Sequence, residues 1–500
     1  MIKLLAATAR DSARVSEITR VATRFGLGVL MAGLGFAPEE GAADVEGGPM
    51  PLPRRTRLAM ETLGPSFVKI GQILATRSDL LGPEWIEELE QLHSDAPTLP
   101  YHVIRAAIEE TLGQPPESAF ASVDPEPLAA ASMAQVHRAT LHDGREVVLK
   151  VRRPGVRPAM EADLRLIAQL AALAERSSAE ARRFEPMTMA RELSRAMLEE
   201  LDFTSEGRNA ERIAEDFADE PRLMIPAIHW EVSTDALLVM DYIAGVKPTS
   251  GETLTSAGIN PQAIAALGAD VVLRMVLING RFHGDPHPGN LLCLDGNRLA
   301  LLDFGMIGHV SPRRRAEFIA FIQSIASGDP AGLADVLELW AQGHAVPRAN
   351  VERAAEQVVQ RHGGGALVLS AMIPDFMRLL REERLVMPPD LLLIFKAMVT
   401  IDGVLNRIAP GFDLSSAIRR ARVRIVAERL SPARLAGTSA AIVRELAKLG
   451  EDAPRLIGAL RRRIEAGPAP APPSSEAGAR WIAGAITLAG AMVALAVLIT

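Results

Sequence analysis

The eight residues 283–290, HGDPHPGN, followed by LLDFG at 301–305, decide how this chain reads. Two prolines and two glycines in eight positions exclude a helix, so Asp285 and Asn290 share one tight loop, five positions apart. An aspartate placed to accept a hydroxyl proton, followed by a carboxamide that ligates Mg²⁺, is the logic of a phosphoryl-transfer loop. Thirteen residues after Asn290, Asp303 ends an apolar run and precedes Phe304 and Gly305. An ionised carboxylate there can hold a Mg²⁺ that bridges nucleotide phosphates. Read alone, DFG is common and weak. A second reading takes His283, Asp285 and His287 as an H-x-D-x-H cluster of a metal-dependent hydrolase. That reading needs further ligands and leaves Asn290 without a role.

Upstream, VVLKV places Lys150 among apolar strand residues. Burying a lone ammonium costs several kcal/mol unless it is paired, so a buried Lys150 needs an acid or a phosphate, whereas an edge lysine would keep its head in solvent. The chain has only six lysines (Lys3, Lys69, Lys150, Lys247, Lys396 and Lys448), which makes one in a strand harder to dismiss as background. Around it, QVHRATL and EVVLKV read as a hairpin closed by Asp143-Gly144. No G-x-G-x-x-G lies before Lys150 and no G-x-x-x-x-G-K-S/T occurs anywhere; the corresponding stretch is LAAASMAQ, residues 128–135. Alanine resists positive φ and lets a backbone approach phosphate less freely than glycine does. Downstream, Asp202, Glu206 and Asn209 are spaced to share one helix face, which makes Glu206 the candidate carboxylate partner of Lys150.

With these residues in place, the chain resembles the UbiB/AarF family of atypical kinases, which includes the ADCK proteins, over roughly residues 54–430. FVKIGQ is similar to the family's K-x-G-Q signature at Lys69, Gly71 and Gln72. Ala129, Ala130, Ala131 and Ser132 look like its alanine-rich nucleotide loop, Lys150 like its strand lysine, and Glu200 and Asp202 like its E-x-D element. Glu206, the HGDPHPGN loop and the DFG complete the set. The resemblance implies an α+β, protein-kinase-like two-lobe fold, with a small β-containing N-lobe carrying added helices and a larger helical C-lobe. It implies ATP or ADP with Mg²⁺ as cofactors, and a role in ubiquinone biosynthesis on or near isoprenoid precursors. Asp285, Lys150 and Glu206 would then be catalytic, and Asn290 and Asp303 metal ligands. The nucleotide would meet Ala129 to Ser132, Lys150 and Met240, and the K-x-G-Q helix would fold over the site with Lys69 near Glu200 and Asp202. Ala134 stands where some members have glycine.

Beyond the motifs, residues 1–53 read as a helical arm and a Gly/Pro/acid-rich linker, and 54–120 as a helical extension. Residues 121–245 read as the N-lobe and 246–430 as the C-lobe. Helical periodicity covers Arg54 to Leu81, roughly 101–113, 158–182 and 187–217; ALLVMDYI at 236–243 reads as a strand. After Gly251 the pattern is helical except at 298–305. Residues 431–480 continue a basic stretch and end in a Pro/Ala-rich tether; from Gly411 to Glu465 there are twelve basic against six acidic residues. Trp481 to Thr500 carries no formal charge over twenty residues, enough to cross ~30 Å of hydrocarbon as a helix. Flanking arginines predict a single-pass inner-membrane tail with the body in the cytoplasm.

Composition narrows the alternatives. Five hundred residues, 48% hydrophobic and 23% charged, are globular and call for more than one folded unit. A net charge of −7 gives no global field for nucleic acid. One cysteine, Cys293, excludes an intramolecular disulfide framework and reads as a small core residue. The expected partners are membrane lipid, isoprenoid quinone precursors and other quinone-biosynthesis enzymes. A non-catalytic alternative remains, a nucleotide-gated module that remodels lipid or assembles other enzymes.

Overall fold

A computed structural model of the chain describes residues 9–26, 50–75, 81–92, 97–177, 186–341, 346–363, 369–383 and 388–412, with Leu385 and Ala417. Most of the expected linker, the segment 431–480 and the apolar tail 481–500 lie outside the described residues. The chain leads with helices α1 (Ala9–Arg24), α2 (Leu52–Leu63), α3 (Pro65–Ala75), α4 (Pro83–Leu89) and α5 (Tyr101–Leu112). The periodicity of 54–81 predicts one helix. It divides because Gly64 adopts φ 94°, a left-handed backbone that L side chains avoid, and Pro65 opens a new first turn.

A four-stranded antiparallel sheet follows, built from β1 (Phe120–Ala130), β2 (Ala134–Leu141) and β3 (Glu146–Arg152) and completed later in the chain. The β2–β3 hairpin turns at Asp143-Gly144, with Gly144 at φ 88°. β1 was not legible as a strand: it carries Pro125 and Pro127, is largely exposed, and pairs with β2 through three register irregularities. Proline is tolerated there because an edge strand can lose a ladder donor.

Helices α6 (Val156–Ser177) and α7 (Pro186–Glu200) pack with the leading helices rather than with the sheet. Ile18, Met60, Phe67 and Ile70 share one buried cluster with Met160, Leu164, Met197 and Leu201. Arg14 ties three of these helices together, donating to both Asp163 oxygens at 2.7 and 3.0 Å and to the Leu63 carbonyl at 2.8 Å. The expected helix 187–217 is broken at Leu201-Asp202, and α8 (Phe203–Asp216) starts afresh. Asp202 is its N-cap, accepting from the Thr204 backbone N–H at 3.0 Å and hydroxyl at 2.7 Å.

After β4 (Leu223–Met224), β5 (Leu237–Asp241) completes the sheet in the order β1-β2-β3-β5. The larger lobe comprises α9 (Gly251–Ser256), α10 (Pro261–Arg274), β6 (Arg281–His283), β7 (Leu291–Leu294), β8 (Arg298–Leu301) and β9 (Ile307–His309). It ends in α11 (Pro312–Ser327), α12 (Pro330–Trp340), α13 (Arg348–His362), α14 (Leu369–Glu382) and α15 (Pro389–Ile408). Three of its strands, β6, β7 and β9, correct the expectation of a helical lobe with a single β element. At three or four residues each, they are too short to display a period. Phe321 centres the core, its ring 5.0 Å from Phe376, 5.1 Å from Trp340 and 5.4 Å from Phe395, so α11, α12, α14 and α15 form one packed unit. Pro261–Asn279 is the one described helical segment apolar and long enough to cross a membrane (19 residues, mean hydropathy 1.6), and it is two-thirds buried in this core.

Candidate active site

Strand alternation sets the site. On β3, Val147, Leu149 and Val151 turn toward α5 and are buried with Ile104 and Ile108. Val148 and Lys150 therefore face the other way, toward α8. There the Lys150 ammonium lies 5.5 Å from the Phe203 ring centroid and reaches both oxygens of Glu206, at 2.7 and 2.8 Å. It also donates to Asp303 Oδ2 at 3.2 Å. The Lys150 side chain is 17% exposed, Glu206 6% and Asp303 38%. Lys150 thus holds two carboxylates, one fully enclosed and one facing outward.

The electrostatics follow from that count. Burial pulls the Lys150 ammonium toward neutrality, but Asp303 and Glu206 outweigh it and hold its pKa above the ordinary lysine value. For Asp303, burial opposes ionisation, yet Lys150 and the Gly305 N–H, which donates to Oδ1 at 3.0 Å, hold the carboxyl well below the usual range. Glu206 is pushed up by burial, with Lys150 opposing and Asp303 reinforcing the rise. One ammonium between two carboxylates leaves the cluster one negative charge in excess when all three are ionised, an environment that favours a cation.

The loop 283–290 is fastened beside this cluster. β6 pairs with β9, the Gly284 N–H donates to the Met306 carbonyl at 2.8 Å, and the Leu302 N–H donates to the Asn290 carbonyl at 3.0 Å. Pro288–Asn290 forms a single 3₁₀ turn, the only helical character in the loop. Asn290 Nδ2 donates to the Asp285 carbonyl at 3.2 Å, which commits the amide nitrogen and leaves the amide oxygen as a metal-ligand candidate. From α8, Asn209 Nδ2 donates to the Phe304 carbonyl at 3.1 Å. The face that carries Glu206 thus also grips the DFG segment; Asp202, as the cap, stands outside the helical face that spacing assigned to it. Asp303 and Asn290 offer oxygen donors from two residues. This suits Mg²⁺, which keeps several waters and takes one or two protein ligands beside substrate phosphates, better than an all-protein cage.

The hydrolase reading finds no support in this geometry. His283 is buried, its Nδ1 accepts from the Asp285 N–H at 3.1 Å, its Nε2 has no partner, and burial lowers its pKa. His287 is exposed, with Nδ1 accepting from the Gly289 N–H at 3.0 Å. Among the described residues no three His, Cys, Asp or Glu side chains converge on a common point.

The alanine-rich segment lies at the β1–β2 turn. Ala129 and Ala130 pair with Val136 and Gln135, and the Ala131 N–H donates to the Ala134 carbonyl at 2.8 Å. Arg153 Nε donates to the Ala131 carbonyl at 2.7 Å, so the turn holding Ser132 is pinned from the end of β3. Met240 pairs with Val148 on β5, in the same small buried cluster as Phe203. On α3, Lys69 forms an ion pair with Glu200, at the end of α7, and Gln72 Nε2 donates to the Leu92 carbonyl at 3.0 Å. Glu200 and Asp202 therefore do separate jobs: one holds α3, the other starts α8.

Two residues escaped the sequence reading. Arg153 gave no signal, being one arginine among many. Lys396 on α15 lies 3.8 Å from Asp285 Oδ1, and the scarcity of lysine is the signal that could have marked it.

Comparison with known proteins places these features in a family. Residues 91–337 match the ABC1 atypical kinase-like domain and residues 365–413 the UbiB helical domain. A probable protein kinase UbiB of Xanthomonas campestris is 32% identical over 482 residues, covering 90% of this chain and 85% of that one. An uncharacterized Synechocystis protein is 31% identical over 371 residues, 72% of this chain and 64% of that one. Among solved structures, a Mycobacterium tuberculosis protein in complex with erythromycin shares the fold at a TM-score of 0.50 and 22% identity, over 72% of this chain and 92% of that one.

Proposed function

The chain belongs to the ABC1 atypical kinase-like family and carries its UbiB helical domain, and on that premise we propose a Mg²⁺-dependent atypical kinase or ATPase that supports ubiquinone biosynthesis. The observation that carries this reading is Lys150 held between Glu206 and Asp303. Glu206 fixes the ammonium on one side, so the same lysine can meet the α/β-phosphates of ATP or ADP on the other. Asp303 and Asn290 would hold Mg²⁺, which neutralises charge on the phosphates. Asp285 accepts the proton of an attacking hydroxyl or orients a water, within hydrogen-bond reach of the reacting group. The pinned Ala129–Ser132 turn and Met240 flank the nucleotide.

The apolar stretch 481–500 and the basic excess at 411–465 support holding the body at the inner membrane, where isoprenoid quinone precursors reside. Removing residues 474–500 is expected to move the protein from the membrane to the soluble fraction on cell lysis; unchanged sedimentation with membranes refutes the anchor.

Thermal unfolding of the full-length protein tests the site. Mg²⁺ with ADP at ~100 times its Kd adds ~2.7 kcal/mol of stability. This shift is expected to need both metal and nucleotide and to vanish in Asp303→Asn. No shift in folded wild-type protein refutes the assignment. A second reading, nucleotide-gated lipid remodelling without phosphoryl transfer to an acceptor, is favoured by alanine in place of glycine at the β1–β2 turn and by the Lys69–Glu200 pair that holds α3. Lipid-stimulated ATP hydrolysis with no phosphorylated product separates it from kinase action.

A further inference from the structure

The loop 283–290 contains neither lysine nor arginine, although Asp285 is the group proposed to meet the transferring phosphate. His287 commits Nδ1 as an acceptor within the loop, so it does not present two N–H donors. A phosphoryl group in transfer spreads negative charge over three equatorial oxygens, and a bare carboxylate beside it is repulsive. Beyond the Mg²⁺ proposed at Asn290 and Asp303, a protein cation on the Asp285 side has to come from elsewhere in the fold.

α15 brings one. Leu393 wedges this helix against the loop: its methyl carbons lie 3.3 Å and 3.0 Å from where a Cβ would sit on Gly284 and Gly308. A Cβ at either position would crowd Leu393 by a few tenths of an ångström, so the two glycines favour this close seating of the helix. Three residues on, and therefore on the same face of the helix, Lys396 places its ammonium 3.8 Å from Asp285 Oδ1. That distance exceeds hydrogen-bond reach, and the side chains are 35% and 37% exposed, so the pair keeps Lys396 at the loop without consuming its donors. The contrast with the other lysines of the site is direct. Lys150 has three carboxylate contacts, and Lys69 is committed to Glu200. Glu90, just after α4, also feels the charge of Lys396, although burial is the larger influence on it.

We propose that Lys396, delivered by the C-terminal helical unit, is a nucleotide-contacting residue that grips the terminal phosphate of a nucleoside triphosphate beside Asp285. This rests on the nucleotide-site reading above and goes beyond it: a residue from the helical domain matched at 365–413, outside the kinase-like match at 91–337, distinguishes triphosphate from diphosphate. ADP ends one phosphate short of Asp285 and gains nothing from Lys396.

Isothermal titration of the full-length protein with Mg²⁺ and either ADP or the imido-bridged ATP analogue AMP-PNP tests this, in wild type, Lys396→Met, Lys396→Arg and Asp303→Asn. Losing one charge-assisted hydrogen bond is expected to weaken AMP-PNP binding about tenfold in Lys396→Met. ADP is expected to stay within about twofold, and Lys396→Arg to keep most of the triphosphate affinity because a guanidinium still donates to phosphate. Circular dichroism establishes that each variant is folded. Equal weakening of both nucleotides, which a merely structural role would produce, overturns the proposal, as does no weakening of either. If wild type binds both nucleotides and Asp303→Asn releases both while Lys396→Met matches wild type, this proposal alone falls. If wild type binds neither, the nucleotide-site reading falls and takes the proposal with it.

Discussion

Replacing Lys150 with methionine keeps an unbranched side chain one atom shorter and removes the charge between Glu206 and Asp303. At 2.7 Å and an effective dielectric constant of ~20, the Lys150–Glu206 attraction is ~6 kcal/mol before desolvation is subtracted. Withdrawing both ions from water offsets most of this, so the favourable net coupling is about 2 kcal/mol. The single variant does worse than lose the coupling, because the 6%-exposed Glu206 is left without its cation and with Asp303 as its neighbour. A buried charge stripped of its partner costs about 3–5 kcal/mol. Glu206→Gln is milder, about 1–3 kcal/mol, since Lys150 retains Asp303 at 3.2 Å. The double variant is expected to cost about 2–6 kcal/mol, less than the sum of the singles by about 2 kcal/mol. Native-state hydrogen exchange of the α8 amides, residues 203–216, measures the local free energy without requiring the whole chain to unfold in one step. A coupling below about 0.5 kcal/mol would show that the ion pair does not set the position of α8, and the electrostatic account of the site would fail.

Gly207→Ala sets a Cβ 2.7 Å from the Trp230 ring, so the helix carrying Glu206 must shift or the ring must move; a loss of about 1–3 kcal/mol in α8 protection is expected, and unchanged exchange refutes the close packing. Glu200→Gln leaves the 12%-exposed Lys69 without its ion-pair partner, and α3 amides are expected to exchange faster while those of α11 do not; uniform change across both would contradict a local latch. Cys293 is fully buried and its thiol is pushed up to about 12, so it is expected to resist thiol reagents until the protein is unfolded. Its contribution to stability has a definite sign. Between the unfolded thiol's ~8.5 and the folded value, the unfolded chain has lost the proton that the folded chain keeps, so stability falls as pH rises through that window. Rapid stoichiometric labelling of native protein would disprove the burial.

The chemistry of this chain was legible where it is local. HGDPHPGN announces a non-helical loop, Asp143-Gly144 a hairpin, and the apolar neighbours of Lys150 a buried strand lysine that needs an acid, because turn chemistry and strand alternation act over a few residues. Spacing also put Glu206 and Asn209 on one face, and both turn inward, one to Lys150 and one to the Phe304 carbonyl. It misplaced Asp202, because a residue in register with a helix face can equally be the cap that precedes it, and only the backbone at φ −99°, ψ 95° decides between the two. β1 stayed hidden because its prolines and exposed side chains lack the pattern of a strand, and its pairing with β2 is what makes it one.

What only the tertiary structure decided are the meetings of residues far apart in the chain. Lys150 finds Glu206 across 56 positions and Asp303 across 153, while Lys396 comes to Asp285 because Leu393 fits against Gly284 and Gly308. A sequence states which side chains need partners, since desolvation penalises every unpaired charge wherever it lies. Which partner is supplied depends on how helices and sheet pack, and packing is a property of surfaces that no single stretch of the chain contains.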